Sequence, residues 1–293
     1  FPTRRSSDLK RIIMTFTESL SARSRSAETL LCVGLDPDIS RFPEHIKNGP
    51  DPVGTFCRAV IDATAQYACA FKPQIAYFAA LRAESVLEAL IDYIHTNHPG
   101  IPVILDAKRG DIGSTAKQYA REAFERYKAD AVTLSPYMGF DTVEPYMENF
   151  PEKGIFLLCR TSNPGGRDIE ELKTADGRTV FEIVAEKAQK EWNKNGELGL
   201  VAGATQPSEL ARIRSLAPTL PLLIPGIGAQ GGDVNAAVAA GLDAAGFGIA
   251  VNSSRAILYA GKDEMFAQAS AAAAKATRDA INAAKAKALA TRG

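Results

Sequence analysis

Short apolar runs and helical stretches alternate along this chain eight times, and that alternation limits the fold more than any other feature of the sequence. The runs read as strands over residues 30–36, 68–74, 103–105, 131–135, 154–160, 198–204, 222–224 and 244–249. They are apolar nearly throughout, as strands buried on both faces are. Helical periodicity is expected over 16–26, 53–67, 75–95, 113–127, 142–149, 180–195, 207–216 and 265–290. Strand-then-helix units at intervals of about 20 to 45 residues favour a (β/α)8 TIM barrel, with an open doubly wound sheet as the other arrangement the pattern allows. At 293 residues and 46% hydrophobic, the chain can bury the core of one such domain, expected over 14–293. Residues 1–13 resemble translated adapter sequence and are expected to be a non-native or disordered arm, with Met14 the native start.

A barrel makes a positional demand, because functional side chains gather at the C-terminal ends of its strands. The third strand runs into Asp106-Ala107-Lys108-Arg109-Gly110-Asp111-Ile112, four charges within six residues. Side chains two apart on a strand share a face, so Asp106 and Lys108 project together while Arg109 points elsewhere. Gly110 is expected to permit a sharp turn, and Asp111 falls in a loop or at a helix start. Two acids bracketing a lysine suit the holding of an ammonium proton donor at a substrate. The plainer alternative is a solvated ion pair at a strand end, which contributes little. Asp36 and Lys72 end the first two strands, so Asp36, Lys72, Asp106 and Lys108 all meet the barrel's demand.

The seventh strand leads into Pro225-Gly226-Ile227-Gly228-Ala229-Gln230-Gly231-Gly232-Asp233, and Asn252-Ser253-Ser254-Arg255 follows the eighth. Glycines let backbone N–H groups converge on an anion at a helix start, and barrels often hold phosphate after strands seven and eight. Arg255 stands where a bidentate phosphate contact is expected. A phosphorylated substrate fits this pattern; a plain tight turn is the alternative.

Other classes fall away. A formal net charge of zero argues against a nucleic-acid partner or a polybasic membrane patch. No apolar run approaches the ~20 residues of a membrane helix, and the chain reads as cytoplasmic. Cys32, Cys57, Cys69 and Cys159 have no metal-ligand spacing and read as buried free thiols. His45, His95 and His98 likewise suggest no metal site, and no cofactor motif, nucleophile elbow or Walker loop is present.

The set Gly34-Leu35-Asp36, Phe71-Lys72-Pro73, Asp106 to Ile112, Thr161-Ser162-Asn163-Pro164-Gly165, Pro225 to Asp233 and Asn252 to Arg255 resembles the orotidine 5′-phosphate decarboxylases, in their longer bacterial branch. That resemblance implies a cofactor-independent decarboxylase of pyrimidine biosynthesis, acting on orotidine 5′-phosphate as a homodimer. It implies an alternating charged network of Lys72, Asp106, Lys108 and Asp111, with Lys108 the proton donor and Asp111 reaching the neighbouring subunit's site. Ile112 and Thr115 would cross with Asp111. Asp36 would hold ribose hydroxyls, Ser162 the pyrimidine amide edge, and Pro225, Gly226, Gly228, Gln230 and Arg255 the phosphate end. The polar stretch 161–178 is longer than in the most compact members. Two other readings remain: the related sugar-phosphate decarboxylases and synthases, which share Asp-x-Lys-x-x-Asp but use Mg2+ and carry an acid at the position of Lys72, and a phosphate-binding barrel that acts as a sensor or scaffold.

Overall fold

The computed structural model describes residues 14–226 and 233–292, so the expected arm at 1–13 lies outside the described residues. Its strands are β1 (Leu31–Leu35), β2 (Ala70–Pro73), β3 (Ile104–Arg109), β4 (Ala131–Leu134), β5 (Gly154–Arg160), β6 (Leu198–Ala202), β7 (Leu222–Ile224) and β8 (Ile249–Ser253). All pairs are parallel, in the order β2-β1-β8-β7-β6-β5-β4-β3. Isolated parallel bridges from Phe71 to Val103 and from Gln74 to Asp106 bring the ends of that order together, giving a nearly closed barrel whose thinnest seam lies between β2 and β3. Helices Pro52–Thr64, Glu84–Asn97, Gly113–Arg121, Glu144–Asn149, Val180–Lys187, Pro207–Leu216, Val234–Gly241 and Phe266–Ala290 follow successive strands. The arrangement is the (β/α)8 barrel, and the open sheet is excluded.

Period two along each strand sorts the residues into layers. Cys32, Ala70, Ile104, Ala131, Phe156, Val201, Leu223 and Ala250 form one apolar layer with Phe16 and Leu20 of the first helix, Phe16–Ser26. Phe16 meets Phe156 edge to face at 5.7 Å. Gly154 makes room for it, since a Cβ there would lie 2.1 Å from the Phe16 ring. The helix is tied down by Thr17, whose N–H and hydroxyl donate to the buried Glu197 carboxylate at 2.8 and 2.7 Å. A second, larger core fills the space between the sheet and the helices. All four cysteines are buried free thiols, as expected.

Three local expectations are corrected. The eighth strand is Ile249–Ser253 rather than 244–249, because Gly246 and Gly248 take φ of 76° and 72°. The Asp243 carboxylate accepts from the N–H groups of Ala245 and Phe247 at 2.9 and 2.8 Å, folding that stretch into a turn. The helical run at 75–95 is split into Ile75–Ala80 and Glu84–Asn97 by Arg82 at φ 53°, a left-handed position that ends a helix. The loop at 161–178 carries its own structure: a 3-10 turn at Pro164–Gly166, a helical turn at Arg167–Glu170 and an antiparallel bridge from Lys173 to Thr179.

Candidate active site

Two residues beyond the apolar layer, on the same inward faces, stand Lys72 on β2, Asp106 on β3, Thr133 on β4 and Leu158 on β5. They line a cavity of about 430 Å³ with Lys108, Thr161, Ser162, Asn163, Val201, Leu223 and Pro225. Its floor is apolar and one wall is charged.

Asp106 is the centre of that wall. Its Oδ2 accepts from Lys72 Nζ at 2.9 Å, and its Oδ1 accepts from Lys108 Nζ at 2.6 Å and from the Thr133 hydroxyl at 2.9 Å. The Lys72 and Asp106 side chains are only 6% and 10% exposed, whereas Lys108 is 47% exposed and faces the open cavity. Burial alone would push the Asp106 carboxyl up, but Lys72 and then Lys108 outweigh it and hold the group well below the usual carboxylate range. Burial alone would likewise push Lys72 down. Asp106, and next Asp36, override it and keep the ammonium above the ordinary lysine range.

The expected sharing of a face by Asp106 and Lys108 holds, through a backbone feature the strand pattern does not contain. Pairing between β3 and β4 shifts register between Leu105 and Arg109, and Lys108 sits at φ 46°. Such irregularities are common beside active sites because they re-aim a side chain. A non-glycine residue in this region carries strain of order 1–3 kcal/mol. Thr133 Oγ1 accepts from the N–H groups of both Ala107 and Lys108 at 3.0 Å, which fixes the bend. Gly110 is not the left-handed residue of this turn; it allows a close approach, since a Cβ would lie a tight 3.2 Å from Ser135 Cβ. Arg109 does point elsewhere, to Glu122 at 2.9 Å and over the Tyr119 ring.

The remaining expected residues divide. Ser162 and Pro225 line the cavity with the lysines. Asp36 follows β1, near enough for its charge to act on Lys72. Its Oδ1 and that of Asn252 at the end of neighbouring β8 are buried acceptors without hydrogen-bond partners among the described residues. Gly226 takes φ 95° directly after Pro225. Arg255 is exposed and opens the short helix Arg255–Leu258. Gly228 and Gln230 lie outside the described residues. Asp111, Ile112 and Thr115 do not line this cavity; Asp111 caps the Ile112 N–H at 2.8 Å, Ile112 is 44% exposed, and Thr115 is exposed on the following helix.

Sequence reasoning misses Thr133, although it stands two residues beyond the interior Ala131, and it names Asn252, two beyond Ala250, only within the Asn252 to Arg255 motif without a role of its own. It also misses Arg160, a buried arginine at the end of β5 whose partners come from two later segments.

A model of the "Orotidine 5'-phosphate decarboxylase / HUMPS family" matches residues 29–270. The chain belongs to that family. Within it, the chain is 62% identical over 270 residues to the orotidine 5′-phosphate decarboxylase of Azoarcus sp. (strain BH72), covering 92% of this chain and 99% of that protein. It is 61% identical over 269 residues to the one from Janthinobacterium sp. (strain Marseille), covering 92% and 98%. The solved structure of Leishmania donovani OMP decarboxylase superposes with a TM-score of 0.80 at 42% identity, covering 93% of this chain and 99% of that one.

The charged wall of this family member has a definite pH signature. Asp106 has a depressed folded-state pKa, so its stabilisation is present above its unfolded value near ~4 and is lost as pH falls further. Lys72 has a raised one, so its share is present below about 10 and lost above. Asp106→Asn is expected to lower unfolding free energy at neutral pH by about 3–5 kcal/mol, since it leaves two ammonium groups facing each other. It should also make stability fall less steeply with acid below about pH 4. Urea unfolding at several pH values checks both, and equal acid slopes for the two proteins would count against an ionised Asp106.

Proposed function

We propose that this chain decarboxylates orotidine 5′-phosphate to uridine 5′-phosphate and CO2, and that Lys108 delivers the proton to C6 without a cofactor. The observation that carries this reading is the row Lys72, Asp106 and Lys108 on the wall of a closed-bottomed cavity. The identity of about 60% to curated decarboxylases supports the substrate.

Loss of CO2 from C6 leaves a vinyl-type carbanion with no conjugated sink, so developing charge must be stabilised electrostatically. Asp106 uses one of the three N–H donors on Lys108, leaving the ammonium able to face the reacting carbon. The same group then donates its proton. Lys72 and Thr133 hold Asp106 from behind, so little reorganisation is needed as charge develops. Asp106 would also crowd the substrate carboxylate. Two like charges about 4 Å apart at an effective dielectric near 20 repel by roughly 4 kcal/mol, or about a thousandfold in rate. Enzymes commonly supply ~8 to 23 kcal/mol, so the larger share is assigned to the preorganised Lys108 and to binding of the remote phosphate.

At the base end, Ser162 meets the pyrimidine amide edge. Asp36, whose buried Oδ1 lacks a donor among the described residues, holds ribose hydroxyls. Pro225, Gly226 and Arg255 serve the phosphate end, joined by Gly228 and Gln230 on sequence resemblance alone. Lys72 stands where the Mg2+-dependent relatives carry an acid, and its ammonium would oppose a cation at that position. The network is completed across a homodimer: Asp111, Ile112 and Thr115 lie outside their own subunit's cavity, on an exposed loop and helix start suited to entering a neighbour's site.

Lys108→Ala is expected to lower kcat for orotidine 5′-phosphate by at least about a thousandfold while uridine 5′-phosphate still binds, as followed by the absorbance change and by calorimetry. Turnover like that of the unmodified protein would overturn the assignment of the donor. Mixed Lys108→Ala and Asp111→Ala proteins should recover activity in heterodimers carrying one intact site. No recovery after verified subunit exchange would overturn the shared site.

A further inference from the structure

From Thr161 to Thr179 no described residue buries an apolar side chain; Ile169 and Leu172 are 50% and 54% exposed. Yet this segment begins with Thr161, Ser162 and Asn163, which form one wall of the cavity. A wall that must keep its shape needs something other than hydrophobic burial to hold it.

The holding is polar and centred on Arg160, whose side chain is 4% exposed. A register shift between Leu158 and Arg160 at the end of β5 turns the guanidinium toward the helix Pro207–Leu216. There Nε donates to Glu209 at 2.6 Å, Nη2 to Glu171 at 2.5 Å, and Nη1 to Glu170 and to the Thr161 carbonyl, each at 2.9 Å. Glu170 then reaches back to the start of its own segment. Its Oε2 accepts from the Thr161 N–H at 2.9 Å and its Oε1 from the Thr161 hydroxyl at 2.7 Å. Thr161 therefore has its N–H, carbonyl and hydroxyl all fixed by one arginine–glutamate pair. Gly166 closes the packing: a Cβ there would fall 2.7 to 2.9 Å from Glu170, Arg160 and Thr161. On the other side a Cβ at Gly203 would lie 3.0 Å from the Ser162 backbone, so Ser162 is pressed between this hub and the end of β6.

We propose that Glu170 and Arg160 are positioning residues for recognition of the pyrimidine, acting through Thr161 on Ser162 and not on the phosphate end. This rests on the reading of the cavity as an orotidylate site with Ser162 at the base. When the pin is cut, the wall samples other arrangements, and apparent affinity drops by the fraction of time it is correctly formed. Only ligands that carry a base feel that loss. A ligand with ribose and phosphate alone does not touch the wall.

The test compares calorimetric binding of uridine 5′-phosphate and ribose 5-phosphate to the full chain and to Glu170→Ala, Glu170→Gln and Thr161→Val. Glu170→Ala is expected to weaken uridine 5′-phosphate about tenfold, the effect of a wall formed about one-tenth of the time, and ribose 5-phosphate less than twofold. Glu170→Gln keeps one acceptor for Thr161 and should recover part of the loss. Thr161→Val, which leaves the Arg160–Glu170 pair intact, should reproduce the selective weakening should the alanine variant fold poorly. Equal weakening of both ligands, or unchanged uridine 5′-phosphate binding in folded variants, would overturn the positioning role. Failure of the underlying site reading looks different: the unmodified protein would not turn over orotidine 5′-phosphate and would bind the two ligands alike.

Discussion

The structure depends most on a carboxylate that cannot afford to be neutral. Asp106 is buried at the seam where β2 and β3 are joined by isolated bridges instead of a continuous ladder, and Lys72 crosses that seam to reach it. Burying either charge alone would cost several kcal/mol, so each makes the other tolerable. Thr133 and Lys108 supply the remaining donors and bring a third strand and a bent backbone into the same arrangement. The barrel is thus completed at its weakest edge by the charges assigned to its chemistry.

Legibility in the sequence follows the range of the interaction. The barrel class and the placing of Asp106, Lys72 and Lys108 at one strand end follow from periods of two and from strand-then-helix alternation, which are local patterns. The apolar layer of Ile104 and Ala131 lies two residues below Asp106 and Thr133, so Thr133 was within reach of the same rule. The left-handed turn at Lys108 was not. Gly110 nearby is the better left-handed residue by propensity, and tertiary bonds to Thr133 override it. The eighth strand starts later than the apolar run around Ala244 suggests for a similar reason, because that run conceals two left-handed glycines and an aspartate-capped turn. Arg160 illustrates the far limit: a strand-end arginine gives no hint of partners 10 to 49 residues away.

Two kinds of order meet in the cavity. In the charged wall, Lys72 and Asp106 are buried and cross-bonded, joining β2, β3 and, through Thr133, β4. The wall at Thr161 to Asn163 is held by the ion pairs of the buried Arg160 with Glu170, Glu171 and Glu209 and sets little apolar surface aside from water.

Asp106 stays ionised between two ammonium groups. The most direct test of this is a carbon-13 NMR titration of protein labelled at aspartate carboxyls, with the resonance assigned by its loss in Asp106→Asn. The resonance is expected to stay at the carboxylate value from pH 7 down past the ordinary aspartate range near ~4. Titration of that resonance at or above about pH 4 would contradict it.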